Sequence, residues 1–524
     1  MPELPETEKA VGPTIYWHDY ETFGLDRKLD RPAQFAGIRT DMNFNRLGEP
    51  DIWYCKPSQD YLPEPTACLV TGITPQLTEA KGCCEHDFAE KIRAAMIEPE
   101  TLSVGYNSMR FDDEVTRNLF WRNLYDAYER EWANGCSRWD LFPFVLAVWA
   151  LRPEGIEWPL TGGVDPARAD LVTFRLEKLT QANGISHTHA HDAASDVEAT
   201  IDLAKLIAGK QPKLWQWALA NRSKKSVVAA LESGKPCVWV DPRAGQKRGY
   251  IRVVLPITIA PVNKNEYLVW DCREDPRVLV GMPPEEIRRR AFGTREELNG
   301  EERLSLASLK VNQSPFVCND LRVLTDAVCA RFGIDKARCL ENMQHLAEIQ
   351  KELVSPVYSS RMPEEKPEEA AQPDLDAALY GGLISANDRT LMIRAQSYSP
   401  ADLTQAVAEG RLSFEDPRLK EMLWRMRLRN WPETLTPEEK KARRAFCAQR
   451  LRRLSGEIPG VRGFEDYFNE IDRQAEINDT LVAEGTIDEA KYEARQAVLD
   501  ALYAWGEALG EYCEGGDETE DTPQ

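Results

Sequence analysis

The chain has 524 residues, too many for one hydrophobic core, and the usual domain size divides it into roughly three or four folded units. At 42% hydrophobic and 29% charged it has the composition of a soluble globular protein, and its longest apolar stretch, Leu141 to Leu151, is too short to cross a bilayer. A formal charge of −21, from 65 basic and 86 acidic side chains, excludes a protein that coats nucleic acid through bulk charge, so any such contact must be local.

Residues 1–12 are polar and Pro-rich and read as a disordered leader. MPELPE resembles the start of the formamidopyrimidine DNA glycosylases, whose nucleophile is the amine of the second residue, here Pro2, followed by an acid, here Glu3. That family usually ends in a cysteine-ligated zinc finger, whereas the twelve cysteines here contain no CxxC pair and only Cys83 and Cys84 adjoin. Neither a disulfide framework nor a cysteine-rich zinc site is indicated. The acidic start lacks the basic and apolar segments of a secretory signal, which places the expected compartment in the cytoplasm.

From Thr14 the pattern becomes mixed α/β. TIYWHDYETFG reads as a strand, with two more at Gln34 to Phe44 and Asp51 to Cys55, a β-meander. A helix around Glu85 to Ile97 leads to a strand, TLSVGYN, and then to Asp112 at the head of an amphipathic helix running through Asn123. Helices are expected at Ser137 to Ala150 and His191 to Ile207, giving a mixed sheet with helices on its faces. After a break at Lys210–Pro212, a helical stretch precedes Val238 to Asp271, whose Val, Ile and Tyr content predicts a small β-rich domain. SRMPEEKPEEAAQPD reads as a solvated linker, and beyond Leu375 the chain is helix-forming until an acidic tail. The expected domains are therefore 13–210, 211–358 and 375–511, with a linker at 359–374 and a disordered tail at 512–524.

Asp19 and Glu21 are one residue apart on the first strand, so both carboxylates face the same side of the sheet. Phosphodiester hydrolysis by paired divalent ions about 3.5 to 4 Å apart needs such hard oxygen ligands. On its own, an acid pair at a strand end is better read as a solvated edge. What gives it weight is company: Asp112 heads a helix directly after a strand, and Asp196 lies in HDAASD. Asp112 alone could be a helix cap, with Asp113 the metal-side residue. His191, five residues before Asp196, can overhang the metals and serve as general base, since a neutral imidazole accepts a proton near neutral pH. His187, His189 and His191 alternate in HTHAH and could instead form a transition-metal site.

HDYETFG, YNSMRFDDEVTRN, SRWDL, ALRPEGI, FRLEKLTQANGI and HDAASDVEATI closely resemble bacterial exonuclease I, of the DEDD exonucleases, histidine subclass. The likeness spans roughly residues 14 to 510 and is clearest in the first two hundred. It implies a ribonuclease H-like exonuclease domain with a mixed sheet, an SH3-like β-rich domain and an α-helical C-terminal domain, forming a C around single-stranded DNA. The implied activity is processive 3′→5′ hydrolysis of that DNA to nucleoside monophosphates with two Mg2+ ions, Mn2+ being able to substitute. By the same resemblance Asp19, Glu21, Asp112, His191 and Asp196 are catalytic, the four acids hold metal, and Glu21, Arg117, Tyr128, Trp132 and Arg175 contact substrate. Arginine suits phosphate and Tyr and Trp suit stacked bases, although Trp132 could as readily be core. MRLRNWPETL resembles the family's basic and aromatic segment at Arg427 and Arg429; basic residues beside aromatics suit nucleic acid, although charged residues on helices are usually a solvated face.

The family also binds the acidic, apolar-ended tail of single-stranded DNA-binding protein, and Trp217, Lys235, Arg322 and Leu340 match that pocket. Leu146 and Ala347 stand where the family often has arginine. A monomer with no membrane contact is expected. The rival readings are an RNA-trimming or proofreading exonuclease with the same five catalytic residues, and a catalytically silent scaffold for single-stranded DNA.

Overall fold

The computed structural model describes residues 12–162, 169–186, 192–363, 374–454 and 456–515. The leader up to residue 11, the HTHAH segment with His191, most of the Pro-Glu segment and the tail from residue 516 lie outside the described residues.

The first domain is built on a five-stranded sheet of order β3-β2-β1-β4-β5, with β1 Thr14–Thr22, β2 Pro32–Asp41, β3 Asp51–Tyr54, β4 Thr101–Gly105 and β5 Ser137–Asp140. The first three form the expected antiparallel meander, and β4 and β5 add in parallel to β1. β2 stops at Asp41 rather than Phe44, because the Asp41 carboxylate accepts the N–H groups of Asn43 and Asn45 at 2.8 and 2.9 Å and closes a turn. Ser137 to Ala150 is not one helix. Ser137–Asp140 pairs with β4, and Asp140 caps the following helix by accepting the Phe142 N–H at 2.9 Å, so the helix spans Leu141–Leu151. Leu146 is 1% exposed in that helix, a core residue.

Alternation along β1 divides its side chains between two apolar layers. Ile15 and Trp17 pack with the Leu141–Leu151 and Ala193–Lys210 helices. Tyr16 and Tyr20 pack with the Glu85–Met96 and Asp112–Arg122 helices on the other side. Asp19 and Glu21 continue the Ile15/Trp17 series, toward the Ala193–Lys210 helix.

Two helices, Pro212–Asn221 and Lys224–Leu231, lead into an antiparallel sheet of order β10-β6-β7-β8-β9. Its strands are β6 Cys237–Val240, β7 Ile251–Ile259, β8 Glu266–Asp271, β9 Leu306–Lys310 and β10 Phe316–Cys318, and the Lys336–Ser359 helix packs on β7. The third domain is helical, and its last helix runs to Glu514 with Cys513 buried, so the tail begins beyond the expected residue 512. Its apolar face meets the first domain, where Phe23, Tyr61 and Leu62 join Leu451, Tyr467 and Leu502 in one cluster.

Arg427 and Arg429 are not a nucleic-acid surface. Their side chains are 3% and 4% exposed: Arg427 pairs with Glu439 at 2.8 Å, and Arg429 pairs with Asp60 and Asp376 at 2.7 and 2.8 Å. Composition cannot tell a solvated cation from one consumed by carboxylates hundreds of residues away.

Among the described residues no helix is long and apolar enough to cross a membrane.

Candidate active site

Ligand oxygens of Asp19, Glu21 and Asp196 all lie within 4.8 Å of one another. The strand supplies two of them through its period of two, and the Ala193–Lys210 helix supplies the third from its first turn. The head of that helix is fixed by Gln34 on β2. Its amide nitrogen donates to Asp192 at 3.3 Å and to the Tyr54 hydroxyl at 3.0 Å, while its oxygen accepts the Ala193 N–H at 3.4 Å. Gln34 was not legible as a site residue, since an amide on a neighbouring strand carries no motif.

Asp112, 5% exposed, enters from the head of its own helix, which is tied to β1 by the Thr116 hydroxyl donating to the Tyr20 hydroxyl at 3.0 Å. The alternative Asp113 is otherwise engaged. Arg130 reaches it at 2.5 Å and Arg138 pairs with its other oxygen. Burial alone would raise its pKa, but Arg130, Arg138 and Arg117 outweigh burial and hold it well below the usual carboxylate range.

At Asp19, Glu21 and Asp112 the balance runs the other way. Burial, then the charges of Asp112, Glu21 and Asp196, pushes Asp19 well above its ordinary value. Glu21 is pushed up to about 8 by burial and by Asp196, Asp112 and Asp192. Asp112 also rises to about 8, through burial and the charges of Asp113 and Asp140, against hydrogen bonds from its own and the Tyr20 N–H. Carboxylates that resist ionising together are the electrostatic signature of a site completed by cations. An all-oxygen set fits hard divalent ions and gives no reason for a thiophilic one.

The remaining sequence candidates fall in three places. Arg117 is 8% exposed, held by Glu114 at 2.6 Å and Glu131 at 2.7 Å, with its guanidinium over the Tyr128 ring at 5.1 Å. Tyr128 and Trp132 are 37% and 65% exposed, so Trp132 is not core. Arg175 is exposed at the start of the Leu176–Ala182 helix. On the second domain, pairing of β6 with β10 brings Lys235 close to Asp320, whose carboxylate binds Arg322 at 2.6 Å. Trp217 packs on Phe316 at 5.2 Å, while Leu340 and Ala347 are exposed on the Lys336–Ser359 helix. His191 lies outside the described residues.

A cleft of about 910 Å³ runs between the domains, bordered by Lys28 and Arg110 of the first, Arg243 and Lys310 of the second and Tyr380 of the third.

Fold and site together define an exonuclease that uses divalent metal. Residues 16–204 match the family model described as Exonuclease, 222–359 the Exonuclease I SH3-like domain, and 373–509 the Exonuclease I C-terminal domain. The chain is 39% identical to exodeoxyribonuclease I of Escherichia coli (strain K12) over 432 residues, 82% of this chain and 88% of that protein. It is also 39% identical to the Haemophilus influenzae enzyme of the same name, over 85% of this chain and 92% of that one. Among solved structures, the zinc-ion-bound form of the E. coli exonuclease I complex with single-stranded DNA superposes with a TM-score of 0.82 at 35% identity, covering 95% of this chain and all of that one. A moderately thermophilic exonuclease I from Methylocaldum szegediense gives 0.84 at 37% identity over the same shares. The chain belongs to the exodeoxyribonuclease I family.

Proposed function

We propose that this protein degrades single-stranded DNA from its 3′ end to nucleoside 5′-monophosphates, in DNA repair and recombination. The observation that carries the reading is the convergence of Asp19, Glu21 and Asp196 ligand oxygens within 4.8 Å, with the charge of Asp112 close enough to raise both Asp19 and Glu21. Asp19, Glu21, Asp112 and Asp196 would hold two Mg2+ ions, for which Mn2+ could substitute. Bound divalent ions would activate water and stabilise the leaving 3′ oxygen.

The chain's own residues do the rest. His191, five residues before Asp196, takes the proton as water attacks the terminal phosphorus and the bond from phosphorus to the penultimate 3′ oxygen breaks. Glu21 also faces the terminal nucleotide, and Arg175 its phosphate. Trp132 and Tyr128 offer ring faces on which bases stack irrespective of sequence, and Arg117 fixes the Tyr128 ring. The basic residues bordering the cleft receive the trailing strand, a route that a lone trimming or proofreading domain would lack. Trp217, Lys235, Arg322 and Leu340 receive the acidic tail of single-stranded DNA-binding protein, and the enzyme works as a cytoplasmic monomer.

End-labelled oligonucleotides decide the central claim. With Mg2+, the wild type is expected to shorten single-stranded DNA from the 3′ end, with no cleavage in EDTA or by Asp196→Ala. Preference for RNA or duplex would overturn the substrate, and cleavage undiminished in Asp196→Ala would overturn the site.

A further inference from the structure

We infer that Arg138 is a positioning residue for this hydrolysis, holding the metal-site helix in register with the second domain's wall of the cleft. The inference rests on the proposed function and goes beyond it, because that reading gives Arg138 no role in holding metal or substrate.

Arg138 sits on β5 with its side chain 9% exposed and is satisfied on three sides by three different parts of the molecule. One terminal nitrogen pairs with the Asp113 carboxylate. Its Nε pairs with Glu131 at 2.9 Å, and its other terminal nitrogen donates at 2.9 Å to the backbone carbonyl of Asn312. Asn312 belongs to the loop between β9 and β10, which borders the cleft beside Lys310 and Gln313. Asp113 directly follows Asp112 in the first turn of the metal-site helix. A single planar fork therefore spans from a cleft-lining carbonyl of one domain to the residue next to a metal ligand of another.

The same node reaches the third domain. Glu131 also binds Arg117, Arg117 binds Glu114, and Glu114 accepts the Tyr380 hydroxyl at 2.9 Å. A guanidinium can serve all three of its partners at fixed angles, whereas an ammonium is a point charge on a flexible stem. Arg138→Lys therefore keeps the charge and removes the geometry. A small rotation of the helix head moves Asp112 relative to Asp19 and Glu21, and a misplacement of about 1 Å can cost on the order of 10²-fold in rate.

The test compares wild type, Arg138→Lys, Asp113→Asn and the double variant on end-labelled single-stranded DNA over a Mg2+ titration, with thermal melts of each. Arg138→Lys is expected to lower kcat about tenfold and raise the Mg2+ concentration for half-maximal activity, with KM for the oligonucleotide changed less than about twofold. The double variant should be no slower than the slower single, since both remove one contact. Three results would overturn the inference: kcat and Mg2+ dependence unchanged in both single variants, multiplicative losses in the double, or losses that track only the unfolded fraction and vanish on cooling. Wild type inactive on single-stranded DNA would instead overturn the proposed function.

Discussion

Arg429 donates to Asp60 at 2.7 Å and to Asp376 at 2.8 Å, so one cation of the third domain joins a carboxylate of the first domain to one that follows the Pro-Glu segment. Arg31 of the first domain reaches the same Asp376 at 2.6 Å, and Arg450 binds Asp374 at 2.6 Å. The side chains of the cluster are at most 6% exposed, and its members lie 369 residues apart in the case of Arg429 and Asp60.

Removing one member of such a cluster leaves its partners charged and dry. Arg429→Ala is expected to destabilise the protein by about 3–5 kcal/mol, the usual penalty for an orphaned buried charge. Denaturant unfolding followed by tryptophan fluorescence measures it, and a loss below about 1 kcal/mol would mean that water or the neighbouring arginines fill the gap. The same cluster fixes an acid limit. Burial alone would raise the Asp60 and Asp376 pKa values, but Arg429, Arg450 and Arg31 hold both well below the ordinary carboxylate range. Their contribution is thus full above the unfolded pKa, about 4, and is lost as pH falls toward the lower folded values. Stability should decline below about pH 4, and Arg429→Ala should flatten that decline.

The metal site has the opposite sign. Glu21 and Asp112 titrate near 8 in the metal-free fold, against about 4 in an unfolded chain. The folded state therefore keeps protons that the unfolded state has lost, and these two groups reduce stability as pH rises from about 4 to about 8. Metal binding takes the carboxylate form and must release protons, so apparent affinity should climb by up to about tenfold per pH unit for each proton displaced, levelling above about 8. Calorimetric Mg2+ titrations at pH 6, 7 and 8 check this. Affinity independent of pH would mean that the acids are already ionised before metal arrives.

Trp132 separates two uses of a tryptophan. It is 65% exposed, whereas Trp121 is 1% exposed with its indole donating to the Leu375 carbonyl at 2.9 Å. Trp132→Ala should leave the melting temperature within a few degrees and weaken single-stranded DNA binding by about 1–3 kcal/mol, the worth of one stacked base. Trp121→Ala should do the reverse, costing about 3–5 kcal/mol of stability. Fluorescence anisotropy with Ca2+ in place of Mg2+ reads the first and thermal melts read the second. Unchanged affinity in Trp132→Ala would remove it from the substrate path.

What the sequence disclosed follows the range over which its signals act. Asp19 and Glu21 were legible because a strand's period of two is local, and Asp112 and Asp196 because each lies in the first turn of a helix with a recognisable start. The choice of Asp112 over Asp113 was not, since it depends on Arg130 and Arg138, distant residues that consume Asp113. Ser137–Asp140 read as helix because SRWD runs directly into an apolar helix, and only its parallel partner β4 makes it a strand. Arg427 and Arg429 carried a nucleic-acid signature in composition, yet their partners Glu439, Asp60 and Asp376 turn them inward. Gln34 acts through the backbone of another element and leaves no local trace.

Arg322 offers the last prediction. Its side chain is 91% exposed, and its bond to Asp320 is confined to the surface, so Arg322→Ala should leave the melting temperature essentially unchanged. The hydrogen bonds from Arg322, and then the charge of Lys235, hold Asp320 down to about 2, and Trp217 supplies apolar surface on Phe316. A cation beside apolar surface is what an acidic, apolar-ended tail requires. With a peptide of that tail immobilised, wild type should be retained and Arg322→Ala lost, and retention should fall with salt as charge pairing is screened. Asp320→Ala discriminates further: it frees Arg322 from its carboxylate and should strengthen capture. If wild type is not retained at low salt, or if Arg322→Ala is retained equally, this corner of the second domain is an ordinary solvated surface.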